Sequence, residues 1–156
     1  MAKKIVSGCL IALVGITVIS LILSLVLISG IRHVLKDNYL SKDEIFDVVN
    51  ENYDIIMSDI QKGEFAKTET IKGIENVSDH DGVIEFYCGE EGISVSGAEY
   101  GFYYTEDDSP KVSFLPYVLF SEEDLVPENK GYCFDKYDYY YTEKIRDNFY
   151  YYESHF

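Results

Sequence analysis

The chain has 156 residues, with 13 basic and 28 acidic side chains, a formal charge of −15, 15 tyrosines and no tryptophan. Lys3 and Lys4 are the only charged residues before Arg32, so residues 32–156 carry 11 positive charges against all 28 negative ones, a net of −17. That balance excludes nucleic acid, whose binding rests on Lys and Arg neutralising phosphates, and disfavours anionic lipid headgroups. It leaves a cationic partner, such as a basic protein or peptide, beside the plain alternative that the charge only keeps the domain soluble.

Ile5 to Ile31 are 27 consecutive uncharged residues. A hydrocarbon core about 30 Å thick needs roughly 20 apolar residues at 1.5 Å each, so the run predicts a transmembrane helix and the bilayer as its partner. Its only polar side chains, Ser7, Thr17, Ser20, Ser24 and Ser29, are hydroxyls that can bond back to their own helix. A cleaved signal peptide would have a shorter apolar region with small residues at −3 and −1, whereas a cut after Ser29 or Gly30 places Leu27 or Ile28 at −3. A lipoprotein reading fails because the apolar run follows Cys9, where it should precede it. Gly8 with Ala12, and Ser20 with Ser24, are small pairs at four-residue spacing that would suit a homodimer through this helix.

Orientation is not fixed by charge, because Lys3, Lys4 and the α-amine nearly balance Arg32, Lys36 and Lys42. The expectation of a cytoplasmic N-terminus and an outside C-terminal domain at the cell membrane rests on two other points. Long domains translocate regardless of charge. Cys88 and Cys133 form an even pair that fits a disulfide in an oxidising compartment, the alternative being two buried thiols. The chain therefore divides into residues 1–36, a short tail and a membrane helix, and residues 37–156, an acidic, tyrosine-rich domain joined to it by the short stretch 37–40, which would keep the domain near the bilayer.

The domain opens on a capping box, Ser41-Lys42-Asp43-Glu44, in which Ser41 and Glu44 each satisfy the other's amide. Ile45, Val49, Ile56 and Ile60, flanked by Phe46 and Tyr53, recur at helical spacing, and Gly63 supplies a stop, so one helix is expected over residues 42–62. Beyond it the period becomes two. An imperfect strand at Ile71–Val77 is closed by Ser78-Asp79-His80-Asp81-Gly82, an Asp-Gly hairpin signal, and Val83–Cys88 is its partner. After an ambiguous stretch from Gly92 to Gly101, further strands are expected at Phe102–Thr105, Lys111–Phe114, Gly131–Phe134, Tyr137–Lys144 and Asn148–Glu153. A long loop from Leu115 to Lys130 would carry a helical turn at Glu122–Leu125 or a function. The fold class is α+β: one amphipathic helix packed on a mostly antiparallel sheet of five to seven short strands.

Candidate chemistry is sparse. Aligning Gly82 of Asp79-X-Asp81-Gly82 with the glycine of a calcium loop puts Val77 and Cys88 where oxygen ligands belong, so the hairpin reading wins. The runs Glu106-Asp107-Asp108 and Glu122-Glu123-Asp124 read as solvated loops, and three scattered histidines without paired cysteines give no zinc spacing. Cys133 with His155 or His80 and Arg146 is the one nucleophilic set, but Lys130-Gly131-Tyr132-Cys133 lacks the Thr-Leu-X-Thr-Cys signature of membrane-anchored thiol transpeptidases. No catalytic, cofactor or metal residue is assigned.

Eight tyrosines fall in the last quarter: Tyr132, Tyr137, Tyr139, Tyr140, Tyr141, Tyr150, Tyr151 and Tyr152. On strands, Tyr139 and Tyr141 face opposite to Tyr140, and Phe149 and Tyr151 opposite to Tyr150 and Tyr152. One set would fill the core under the helix. The other, on an open face, would make an aromatic surface suited to partner binding, with cross-strand pairing on an exposed sheet as its plain alternative. The functional expectation is a single-pass, non-catalytic extracytoplasmic interaction module for a basic protein, peptide or cell-envelope polymer. The alternatives are an immunity or inhibitor protein and a small membrane-tethered hydrolase or transpeptidase.

Overall fold

The computed structural model of the protein describes residues 39–93, 96–115, 120–135 and 139–155. The expected span at residues 5–31, and with it Cys9, lies outside the described residues, as do His33, Tyr137 and Asp138. Among the described residues no helix is long and apolar enough to cross a membrane.

Helix α1, Lys42–Glu51, begins where the capping box places it: the Glu44 amide donates to Ser41 Oγ at 3.5 Å and the Ser41 amide to Glu44 Oε2 at 2.9 Å. The single helix expected over residues 42–62 is in fact two, because α2, Tyr53–Lys62, starts after a break at Asn52 with φ −110° and ψ 14°. Asn52 itself supplies the reason. Its side-chain Nδ2 donates to the Val48 carbonyl at 2.9 Å and its backbone amide to the same oxygen at 3.1 Å, the short-range competition with the helix ladder that Asn favours. Gly63, at φ 66°, closes α2 in the left-handed conformation. Ile45 and Val49 of α1 and Ile56 of α2 are fully buried. The two residues ahead of the cap are also packed: the Leu40 amide donates to the Cys88 carbonyl at 3.2 Å, and Tyr39 stacks on Tyr100 with centroids 4.4 Å apart.

Seven strands follow: β1 Asn76–His80, β2 Val83–Ile93, β3 Ser96–Thr105, β4 Val126–Glu128, β5 Gly131–Asp135, β6 Tyr139–Arg146 and β7 Phe149–His155. They form one antiparallel sheet in the order β1-β2-β3-β7-β6-β5-β4, two meanders joined where β3 pairs with β7. Among the described residues the fold is therefore a small α+β fold with two helices. The Asp-Gly hairpin is present, with φ 53° at Asp81 and 96° at Gly82 and His80 paired to Val83. The ambiguous stretch from Gly92 to Gly101 lies in the long β2–β3 hairpin, whose ladder shifts register between Tyr87 and Glu90.

Two strand expectations need correction. Ile71–Val77 is a strand only from Asn76, since Gly73, at φ 97°, turns the chain just after the 3-10 turn Thr68–Thr70. Lys111–Phe114 is not a strand at all. Its apolar side chains lie instead against the outer face of the sheet, with Val112 fully buried and Phe114 and Leu115 nearly so. The helical turn near Glu122 is present as a 3-10 turn, Glu122–Asp124.

The sheet is thus covered on both sides. On one face Phe86, Cys88, Tyr100, Phe102, Cys133, Tyr141, Phe149 and Tyr151 pack with Ile45, Val49 and Ile56 of the helices. On the other, Val83, Tyr103, Tyr140, Tyr150 and Tyr152 pack with Val112, Phe114 and Leu115. Gly101 is required beneath the second layer: a β-carbon there would lie 2.7 Å from the Tyr152 ring and 2.5 Å from the Phe86 carbonyl.

Candidate functional site

Strand alternation sorts the C-terminal tyrosines as expected, but neither set is an open surface. Tyr140 and Tyr152 are fully buried, Tyr151 is 1% exposed, Tyr150 5% and Tyr141 7%, and only Tyr139 is half-buried. Of the candidate partner-binding tyrosines, Tyr140, Tyr150 and Tyr152 are core residues because Val112, Phe114 and Leu115 cover the face that was expected to be open, and Tyr141 and Tyr151 pack on the helix side. Their hydroxyls explain how so much phenol is buried without cost. Tyr140 donates to the Lys111 carbonyl at 2.6 Å, the Lys111 amide donates to Tyr103 Oη at 2.8 Å, and Tyr103 Oη lies 2.9 Å from Thr142 Oγ1. Tyr150 donates to the Asp108 carbonyl at 2.7 Å and Tyr152 to Glu85 Oε1 at 2.5 Å. Tyr103, Tyr140 and Tyr150 thus stitch a covering segment to the sheet, while the Tyr152 bond to Glu85 of β2 stays within it. Burial also pushes the Tyr150 phenol up to about 12.

The disulfide expected between Cys88 and Cys133 is corrected as well. Both side chains are buried and they are not bonded to each other. Cys88 is on β2 and Cys133 on β5, with β3, β7 and β6 between them, a separation of roughly 19 Å where a disulfide needs Cα atoms within about 7 Å. Burial pushes the Cys88 thiol far above the usual range, the environment of a packing cysteine. The nucleophilic set is likewise dispersed. His155 is on β7, two strand spacings or roughly 10 Å from the β5 strand of Cys133, and His80 is on the far edge strand, bonded to Glu85 at 3.1 Å. Arg146 stacks on Tyr53, its Cζ 3.5 Å from the ring centroid.

What the fold does assemble is a cleft of about 630 Å³ at one end of α1. The helix start contributes Lys42, Asp43 and Phe46; the β4–β5 turn contributes Glu128, Asn129 and Lys130; β6 contributes Tyr139, Tyr141 and Glu143; β7 contributes Glu153. Four carboxylates thus stand against two ammonium groups around aromatic walls. Glu143 is the buried centre of the cleft, 8% exposed. It forms an ion pair with Lys42 and accepts the Tyr141 hydroxyl at 2.6 Å on the same Oε2. Burial alone would raise the Glu143 carboxyl, but the Lys42 and Tyr141 bonds outweigh it and hold the group below its usual range. Tyr151 donates to Glu153 at 2.7 Å, and burial with Glu153 nearby pushes Tyr139 up to about 12.

Lys42 is the unusual member. As the first residue of α1 it places a cation at the positive end of a helix, where an anion is favoured by about 0.3–1 kcal/mol. Its Nζ lies 4.7 Å from the Tyr141 centroid, 5.3 Å from Tyr151 and 5.9 Å from Phe46. Sequence reasoning passed over this cluster because its members come from four separate elements. The one local signal was a lysine inside an otherwise acidic helix start.

A second cleft, of about 620 Å³, is lined by Asp79, His80, Asp81, Lys111, Ser113, Phe114 and Glu122. Its ionic groups brace the covering segment: Glu122 Oε1 accepts the Val112 and Ser113 amides at 3.2 and 3.0 Å, and Lys111 pairs with Asp107 at 2.5 Å. Among the described residues no group of His, Cys, Asp and Glu is arranged to hold a metal ion. Comparison with known families, curated proteins and solved structures finds no match for the chain.

Proposed function

We propose that the protein is a single-pass, membrane-anchored, non-catalytic interaction module whose acidic domain captures a basic protein or peptide outside the cytoplasm. The observation that carries the reading is the cleft around Glu143, where Asp43, Glu128 and Glu153 surround Tyr139, Tyr141 and Phe46. Aromatic faces and carboxylates together attract and orient cations, and a surrounding field of one sign speeds their arrival. The surface differs from the one expected at first: carboxylates rather than tyrosine rings form its outermost groups. The membrane anchor of the proposal is the uncharged run Ile5–Ile31. With no Cys88–Cys133 bond to argue from, the outside placement of the domain rests on the translocation of long domains regardless of charge.

Two experiments test the proposal. A photo-crosslinking residue at Asn129, on the rim of the cleft, should trap a basic protein in native membranes, and Glu143→Gln should abolish the adduct. Adducts that survive Glu143→Gln would refute the cleft as the capture surface. For sidedness, Asp147→Cys offers a thiol at a position whose side chain is 92% exposed. A membrane-impermeant maleimide should label it in intact cells, and labelling only after lysis would place the domain in the cytoplasm.

A further inference from the structure

We infer that Phe46, Tyr141 and Tyr151, with the Glu143 carboxylate, form an alkylammonium site that takes a lysine side chain of the basic partner, and that Lys42 is its resident competitor. The inference rests on the cleft being a capture surface for a basic partner, and it names the group that surface reads. Three rings converge on one nitrogen at 4.7, 5.3 and 5.9 Å, all inside the roughly 6 Å reach of a cation over an aromatic face. The nitrogen is bonded to Glu143, whose Oε2 is shared with the Tyr141 hydroxyl at 2.6 Å. One shared oxygen suits a compact ammonium. A guanidinium fork wants both carboxylate oxygens in line, or one ring face to lie flat on, as Arg146 has over Tyr53 at 3.5 Å.

The occupant is more exposed than the site. The Lys42 side chain is 38% exposed and Glu143 is 8% exposed. Tyr151, 1% exposed, and the Tyr141 hydroxyl bond hold ring and carboxylate in place if Lys42 swings into solvent. At the first position of α1 the ammonium also gains nothing from the helix dipole. An incoming lysine can therefore replace Lys42 like for like, and occupancy by Lys42 lowers the apparent affinity in proportion to the fraction of sites it fills.

The test titrates the full-length chain in nanodiscs with hexalysine and with hexaarginine. Lys42→Met keeps an apolar stem and removes the ammonium. Hexalysine should bind this variant about 10-fold tighter than wild type, as for a site filled nine-tenths of the time, with a clearly smaller gain for hexaarginine. Equal gains for both peptides would reflect only the lost charge and overturn the inference. An unchanged hexalysine affinity would do the same, while loss of binding in Glu143→Gln would still uphold the capture reading. No hexalysine binding by any variant would overturn both. A second readout needs no substitution: the Lys42 side-chain resonances, shifted upfield by the rings in the wild-type protein, should return to solvent values on saturation with hexalysine. Resonances that stay shifted at saturation would also overturn the inference.

Discussion

The two faces of the sheet are built from the same residue types by different means. On the helix face, Phe86, Phe102, Phe149 and Tyr151 meet the apolar side chains Ile45, Val49 and Ile56, while the hydroxyls of Tyr141 and Tyr151 turn to Glu143 and Glu153 of the sheet. On the other face, Tyr103, Tyr140, Tyr150 and Tyr152 meet a segment with little regular structure, held down by tyrosine hydroxyl bonds to Lys111 and Asp108. A helix satisfies its own backbone and needs only an apolar stripe. An irregular segment over a core needs outside partners for its amides and carbonyls, and tyrosine supplies both the apolar ring and the partner.

That contrast can be broken at several points. The largest effect is expected from ring removal, about 3–5 kcal/mol for Phe86→Ala and for Tyr152→Ala alike, read by chemical denaturation. The faces should separate when only the hydroxyl is removed. Tyr103→Phe leaves the Lys111 amide without its acceptor, Thr142 keeping its bond to the Tyr151 carbonyl, and should cost about 1–3 kcal/mol, whereas Tyr151→Phe loses only a half-buried bond to Glu153 and should cost under about 1 kcal/mol. Equal costs would remove the distinction.

Acid should also tell the faces apart. Burial would raise the Glu122 carboxyl, but the bonds from Ser113 and Val112 outweigh it and bring it down to about 2. A carboxylate depressed on folding stabilises the fold above its ordinary value near 4.5 and loses that contribution as pH falls through about 2. Near-ultraviolet signals of the outer tyrosines should therefore fade between those limits while far-ultraviolet helix signal persists, and Glu122→Gln, with no carboxyl to protonate, should remove this step and leave the outer layer weakened already at neutral pH. A local effect is expected from Ser41→Ala, which removes the α1 cap and should cost about 1 kcal/mol without touching the outer face.

The same contrast explains what the sequence made readable. Ser41, Glu44 and the Ile45–Val49–Ile56 spacing announce the helical layer because their signals are local and periodic. Asp81-Gly82 announces its hairpin because only a few residues tolerate positive φ in succession. Asn52 splits the helix through one side-chain bond, which a count of apolar positions misses. Val112, Phe114 and Leu115 look like a strand because an apolar cover over a sheet and a strand within one share the same composition. The cleft was the least legible part: Lys42 and Glu143 are 101 residues apart and meet only because the fold brings the start of α1 beside β6.

The most direct test of the central claim is a hexalysine titration of the full-length protein with two paired variants. Glu143→Gln with Glu153→Gln removes cleft carboxylates, and Tyr140→Phe with Tyr150→Phe alters two phenols of the buried outer layer. The account predicts that the carboxylate pair loses at least about 10-fold in affinity, corresponding to about 1.4 kcal/mol, while the tyrosine pair binds as wild type. Retained affinity in the carboxylate pair, or a loss confined to the tyrosine pair, would contradict it.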